Sequence, residues 1–473
     1  MNLNASRRLA ALSAAVLCAA TLSTLAGAAS AAATGEPVVT VDQPAVVAAA
    51  TAAATGAAAT VQPQLAVHTD ATSPVIALVL TIDVRSLAKI ADVTFSDNCT
   101  VAKSVATCEE YLVLQDQPPG SAISLSTQLS ITARSGVAPG AAASYKVTGT
   151  AGDGASVVGT SGRVQIGGPA FDLAPGTDRS HLAVGTVVDE PVRFADTGDR
   201  PAAGVRVLVT ASPGLAFARH YTNCSYSSLP DTRQAEMALC DFPGTFEVGE
   251  QAELATPVEL RVTPAAYSTL VETLVAPKGD PELAQLTAGR TWKQGKGGTL
   301  ALTVLDPGRP GTAPAGRIPL AHAEDGGHGS DQLTVLQADN TADFSVTGAT
   351  AQAPQGTTVP LDFSLTDNGP ATLFLLDGGT IHAEVVVPPG TTVVGSSPNC
   401  QPDADDPDTT AHGPYRCSAG YLAPAGRTVP FSLTLRVDTV IAGAQGSVAM
   451  DWGPYPHTFD PDPADDTALL TLN

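Results

Sequence analysis

The stretch "VPFSLTLRV", residues 429–437, alternates Val429, Phe431, Leu433, Leu435 and Val437 with polar residues. Successive side chains of an extended strand point to opposite faces. The pattern therefore describes a strand buried on one face and wet on the other. "TVPLDFSL" repeats it with Val359, Leu361, Phe363 and Leu365, and "ISLSTQLSI" with Ile123, Leu125, Thr127, Leu129 and Ile131. Gly (44) and Pro (37) punctuate these runs, and no helix-period run with caps interrupts them. The class that follows is all-β, built as antiparallel β-sandwiches.

Working outward from residue 429, the landmarks recur. Gly426 lies nine residues after Cys417, and Gly390 of "PPGTTVV" lies ten before Cys400. Earlier in the chain, Gly249 lies nine after Cys240, and Gly214 of "SPGLAF" lies ten before Cys224. "FADTGDRPA" corresponds to "LTDNGPA", and "ADNTAD" late in the second unit to "ADDTAL" late in the third. A shared order with shared spacing is the mark of a repeat. A first unit around Cys99 and Cys108 fits less well. Lys89 stands where the Pro-Gly glycine should be, and Gly120 lies twelve residues after Cys108.

The expected organisation is a signal peptide over 1–31, a loosely ordered Ala/Thr-rich leader over 32–60, a divergent sandwich domain over 61–180, a second over 181–342, and a third over 343–473. The second carries an insertion near 275–330. Cys240 to Thr341 spans 101 residues, against 50 from Cys417 to Thr467.

The first 31 residues carry Arg7 and Arg8, an apolar run, and Ala29-Ser30-Ala31 as a small-residue cleavage site. That is the layout of a secretory signal, so the mature chain is expected outside the cell. Leu17 before Cys18 argues against a lipoprotein signal, and no later apolar run is long enough to span a membrane. Formal net charge is −22, and six scattered lysines offer no phosphate-binding patch. Nucleic acid and anionic membranes are excluded as partners on that ground.

Six cysteines remain in an oxidising compartment. They allow 15 connectivities, and local pairing of Cys99 with Cys108, Cys224 with Cys240 and Cys400 with Cys417 is the simplest. Each closed loop is worth about 3 kcal/mol through the unfolded state. Three of the six follow an asparagine: Asn98, Asn223 and Asn399. Asn suits turn and left-handed geometry and bonds its own backbone, so the pair reads as a strand end followed by a staple. Asn98 and Asn223 also lie in glycosylation sequons, read as incidental.

"DTGDRPA", "PPGTTVV", the Asn-Cys pairs, "LAPAGRTVPFSLTLRV" and "DPDPADDTALLTL" resemble the Ig-like repeats of bacterial surface and secreted proteins. That family is a domain of unknown function related to cell-adhesion modules. The resemblance covers most of the third unit and about 100 residues of the second. It implies that the three units are tandem Ig-like antiparallel β-sandwich domains, the first of them divergent, with an adhesive or structural role outside the cell and no catalytic residues to carry over. Asp196 and Asp466 stand where the family more often has Asn.

No nucleophile elbow, zinc-protease motif, Walker loop or dinucleotide fingerprint occurs. His322 and His328 with Glu324, Asp325 and Asp331 are weighed as a metal site and read as a solvated loop. The acidic runs Asp403, Asp405, Asp406, Asp408 and Asp460, Asp462, Asp465, Asp466 lack the glycine and order of an EF-hand, and they too read as exposed loops. A Lys–Asn isopeptide bond needs a buried lysine, and no lysine context suggests one. Trp292 and Trp452 read as packing residues rather than sugar platforms. His220 and His412 read as isolated and exposed. The expectation is a non-catalytic adhesive, spacer or scaffold protein with no cofactor, whose partners are cell-wall material or extracellular proteins. A carbohydrate- or calcium-binding module is the alternative.

Overall fold

A computed structural model describes residues 38–42, 46–49, 60–63, 65–69, 75–113, 123–152, 156–228, 235–287, 290–308, 330–375, 380–402, 411–452 and 458–473. The signal-peptide stretch lies outside the described residues. The chain is all-β, and its strands form three Ig-like sandwiches in tandem, each closed around its own core.

The third sandwich shows the plan. A four-stranded sheet of Ala342–Thr347, Thr358–Pro370, Thr428–Val437 and Thr391–Ser396 faces a six-stranded sheet. The six-stranded sheet runs Ala349–Ala351, Thr467–Leu472, Ala444–Asp451, Ile381–Val386, Tyr415–Gly420 and Cys400–Pro402. Phe431, Leu433, Leu435 and Val437 are all buried, as their alternation requires. They meet Leu361, Phe363 and Leu365 across the antiparallel pair Phe363 to Phe431. Burying one such side chain contributes about 2 kcal/mol, and with few aromatics the core is filled mainly by Val, Leu, Ile and Ala.

In each sandwich an early strand pairs in parallel with the closing strand. Val46–Ala49 lies along Arg163 to Ile166, Arg179–Leu182 along Leu336 to Ala338, and Ala349–Ala351 along Leu470 to Leu472. Residues 38–42 and 46–49 of the stretch expected to be a loose leader are therefore built into the first sandwich. Val39, Val41 and Ala49 are buried there, and Val38–Asp42 pairs with Ser156–Val158 and Ala66–Thr69. Its alanine content hid it. Val46–Ala49 is held by a partner more than 100 residues away, and Val38–Asp42 by one at that distance together with the nearer Ala66–Thr69.

Two further corrections concern boundaries. Phe171 and Leu173, placed in the first unit by the sequence, belong to the core of the second sandwich. The late "ADNTAD" run is not the equivalent of "ADDTAL". It follows Ser330–Ala338, the closing strand of the second sandwich, and leads into the opening strand of the third. "ADDTAL" instead precedes the closing strand Thr467–Leu472.

The insertion has a structural task on two sheet edges and one sheet face. Lys293–Gln294 pairs with Ser225 and Tyr226 at the edge of the seven-stranded sheet. Leu302–Asp306 pairs with Gln251–Leu254 at the edge of the opposing sheet. The short helix Pro281–Thr287, which the sequence reading did not anticipate, packs with Leu208, Met237, Leu274 and Trp292 through its Leu283 and Leu286. Covering edges blocks unwanted strand pairing. Residues 309–329, with His322, Glu324, Asp325 and His328, lie outside the described residues.

Candidate functional site

Each cysteine pair closes a hairpin at one margin of its larger sheet, or, for Cys224 and Cys240, one strand in from it. Cys99 is bonded to Cys108, Cys224 to Cys240 and Cys400 to Cys417, with Cα separations of 4.0, 3.9 and 4.0 Å. In every case the two cysteines are direct cross-strand neighbours. The bridge therefore joins adjacent strands of one sheet and does not cross the core.

The preceding asparagine has one task common to all three. A tight turn returns the cysteine N–H to the residue three earlier: Cys99 to Ser96, Cys224 to Tyr221, Cys400 to Ser397. Within that turn the Asn backbone carbonyl accepts from the residue after the second cysteine: Glu109, Asp241 and Ser418. The Asn Nδ2 then donates to the carbonyl of that same residue, at 3.0, 3.1 and 3.1 Å. Each asparagine thus binds both backbone polar groups of one residue on the opposite strand, and none of the three adopts a positive φ. The expected left-handed geometry and self-bonding are replaced by cross-strand bonding. Asn223 additionally exchanges two bonds with Leu300 of the insertion, Nδ2 to the carbonyl at 3.0 Å and Leu300 N–H to Oδ1 at 2.8 Å.

The recurrent Pro-Gly glycines have a steric cause. Gly214 and Gly390 hold φ of +96° and +81°, and a Cβ there would stand 2.6 Å from Ala266 Cα or Thr439 O. Only glycine fits both the conformation and the contact.

A second repeated device sits at the junctions. Asp196 and Asp367 are fully buried, and each Oδ1 accepts from the glycine two residues on, Gly198 at 2.9 Å and Gly369 at 2.8 Å. Their carbonyls accept from Gly249 and Gly426 at 2.8 and 2.6 Å. That explains why these two glycines recur at one spacing. Each Oδ2 is buried and makes no hydrogen bond of good geometry. Burial pushes both carboxyls up to about 7, assisted by Glu250 beside Asp196 and by Asp343 and Asp460 beside Asp367, while the backbone N–H groups of Gly198, Ala170 and Ala202 and of Gly369 and Leu373 pull the other way.

Both turns touch the chain that enters their sandwich. Thr197 and Gly198 N–H donate to Ala170 O, Asp199 N–H to Gly168 O, and Gly168 N–H to Asp199 Oδ1. Arg200 reaches back to Pro139 O of the first sandwich. At the next junction Ala371 N–H donates to Thr341 O, and Thr372 N–H to Ala265 O of the second sandwich. Asn340 Nδ2 binds Pro264 O and Ala266 O, both at 2.8 Å, and Tyr267 meets Phe459 edge-on at 5.6 Å.

The chemistry weighed from sequence resolves into packing. Trp452 stacks edge-on against Phe344 and Phe459, and Trp292 joins the cluster under the short helix. His220 is exposed and lies against Tyr226, while His412 is exposed and meets Thr391 O. All six lysines are exposed. Asp460 accepts Asp462 N–H and Phe344 N–H, which makes it a buried loop anchor rather than an exposed residue. Asp466 is also buried, against the expectation of an exposed loop, and Asp462 is exposed. Asp403, Asp405, Asp406 and Asp408 lie outside the described residues. Among the described residues no three Asp, Glu, His or Cys side chains are placed to hold a metal ion, and no helix is long and apolar enough to cross a membrane. A cavity of about 10 Å³ in the second core, lined by Phe217, Arg219, Tyr221, Tyr226 and Leu300, has room for about one water.

No family model and no curated protein matches the chain. Among solved structures, an I-band fragment of titin aligns over 93% of this chain and 98% of its own, at 8% identity and a TM-score of 0.18. A trypsin-activated alpha-2-macroglobulin from Escherichia coli aligns over 93% of this chain and 23% of its own, at 9% identity and 0.18. A red sea bream transglutaminase aligns over 65% and 31%, at 10% identity and 0.16. Superpositions at these scores carry no functional argument. The fold rests on the strand order and register given above.

Proposed function

We propose that the chain is a non-catalytic, exported modular protein that acts outside the cell as an adhesive, spacer or scaffold. The reading rests chiefly on one observation. The repeated residues with a defined task (the Asn-Cys hairpins, the Asp turns and the Pro-Gly turns) serve architecture and the joining of sandwich to sandwich. The amino-terminal signal and the oxidised cysteines support an extracellular setting. The sequence resemblance to bacterial surface repeats supports the adhesive class. Partners in this reading are cell-wall material or extracellular proteins.

The test uses the full disulfide-bonded chain as bait against cell-wall fractions and secreted proteins, beside a panel of glycan, ester and peptide hydrolase substrates. Saturable capture without turnover supports the reading. Turnover of any panel substrate that tracks the purified chain would sink it.

A further inference from the structure

The two Asp turns share more than a sequence pattern. Asp196 and Asp367 each sit fully buried at the entrance of their own sandwich, with Oδ1 spent on a turn glycine and Oδ2 in no hydrogen bond of good geometry. In both cases the turn held by the carboxyl is the turn that grips the preceding linker. Thr197, Gly198 and Asp199 bind Ala170 and Gly168, while Ala371 and Thr372 bind Thr341 and Ala265.

The surroundings supply no compensating cation. Around Asp196, the charged group that acts on it from a neighbouring element is Glu250, which precedes Gln251–Leu254. Around Asp367 they are Asp343 of the opening strand and Asp460 of the loop before the closing strand. Asp199 and Arg200 belong to the first turn but spend their side chains on Gly168 and Pro139. A neutral carboxyl satisfies such a site. An ionised one places a charge with no countercharge, met only by backbone N–H groups, in a buried site beside other acids, a costly arrangement.

We propose that both junctions are proton-dependent latches: each Asp turn holds the linker before its sandwich while its carboxyl is neutral and releases it once the carboxyl ionises. The sandwiches keep their cores, and the articulation between them changes. Acid surroundings stiffen the array, and the passage through neutral pH loosens it.

The experiment is amide hydrogen exchange on the full oxidised chain at about pH 5 and about pH 9, normalised for intrinsic rate. The amides of Thr197, Gly198, Ala371 and Thr372 report the latches, while Val207 in the second core and Leu433 in the third report opening of the whole sandwich. The expected result is a loss of protection on the order of tenfold at the four latch amides at the higher pH, beyond any change at the core amide of the same sandwich. Asp196→Asn and Asp367→Asn keep an acceptor oxygen but cannot ionise, so each removes the pH effect at its own junction only. Equal protection at both pH values in the unmodified chain overturns the proposal. So does a loss that matches the core amide of the same sandwich, or one that persists at the substituted junction. The two single variants serve as internal controls, each retaining the response at the untouched junction if it folds.

Discussion

Asn223 holds Leu300 by both ends of its carboxamide, donating from Nδ2 at 3.0 Å and accepting on Oδ1 at 2.8 Å. The same side chain binds Asp241 O, so one residue ties the insertion to the cysteine hairpin. Asn399, at the same place in the third sandwich, binds Ser418 O. The difference shows how a shared turn residue was put to additional use where extra chain had to be anchored.

Asn223→Ala removes these bonds and leaves Leu300 N–H without its acceptor. The expected cost is about 2–3 kcal/mol, since an unmet buried group adds to the lost bond. Asn399→Ala is expected to cost about 1 kcal/mol. Urea unfolding of each variant measures the gap, and limited proteolysis should cut the insertion faster only in the first.

Stability is expected to fall as pH rises. Asp196 and Asp367 have folded values of about 7, against 3.8 for the free group. Their preference for the protonated folded state is fully present below about pH 4 and is lost as pH climbs through 7. The ceiling is about 4 kcal/mol per group. Thermal unfolding followed from about pH 4.5 to about pH 8.5 should show a falling Tm, flattened in the Asp196→Asn, Asp367→Asn double variant.

Removing the bridge between Cys400 and Cys417 by paired serine substitution should destabilise the third sandwich by about 3 kcal/mol. The first sandwich should be unaffected, because its core is separate, while the second responds only through its contacts with the third. Calorimetry that resolves the transitions checks this. Peptide mapping without reductant should recover only the three within-hairpin bridges.

Tyr267→Ala should uncouple the second and third sandwiches. Its ring leaves the second sandwich to pack on the third core and meets Phe459 edge-on at 5.6 Å. Such an aromatic pair is worth about 1 kcal/mol beyond its burial. A single joint transition in the unmodified chain should split into two. An unsplit transition in the variant means that Asn340 and Thr372 suffice for the coupling.

Much of this architecture was readable from residues 429–437, because side-chain alternation is a local property and survives without knowledge of the partner strand. The repeated glycines were legible for a related reason, since a backbone conformation that only glycine tolerates leaves a mark at a constant spacing. What stayed hidden depended on distant partners. Val39 and Val41 read as part of an alanine-rich leader because Ser156–Val158, one of the two strands that flank them, lies far along the chain. Asp196 and Asp367 read as members of a polar turn because Asx turns are usually wet, and nothing local tells that the adjoining linker seals them from water. Asn98, Asn223 and Asn399 were conspicuous as a set, yet their acceptors on the opposite strand emerge only once the hairpin register is known.

The placement of the sulfur bridges bears on how the chain would respond to tension. Each closes only a short contour, with partners 9, 16 and 17 positions apart. Pulled from its two ends, a sandwich would shed nearly its whole length once its sheets gave way, with only the small cyclic segments withheld. The bridges are poor stops against extension, but they keep each margin hairpin together as a seed from which the strands can re-pair when the load is removed.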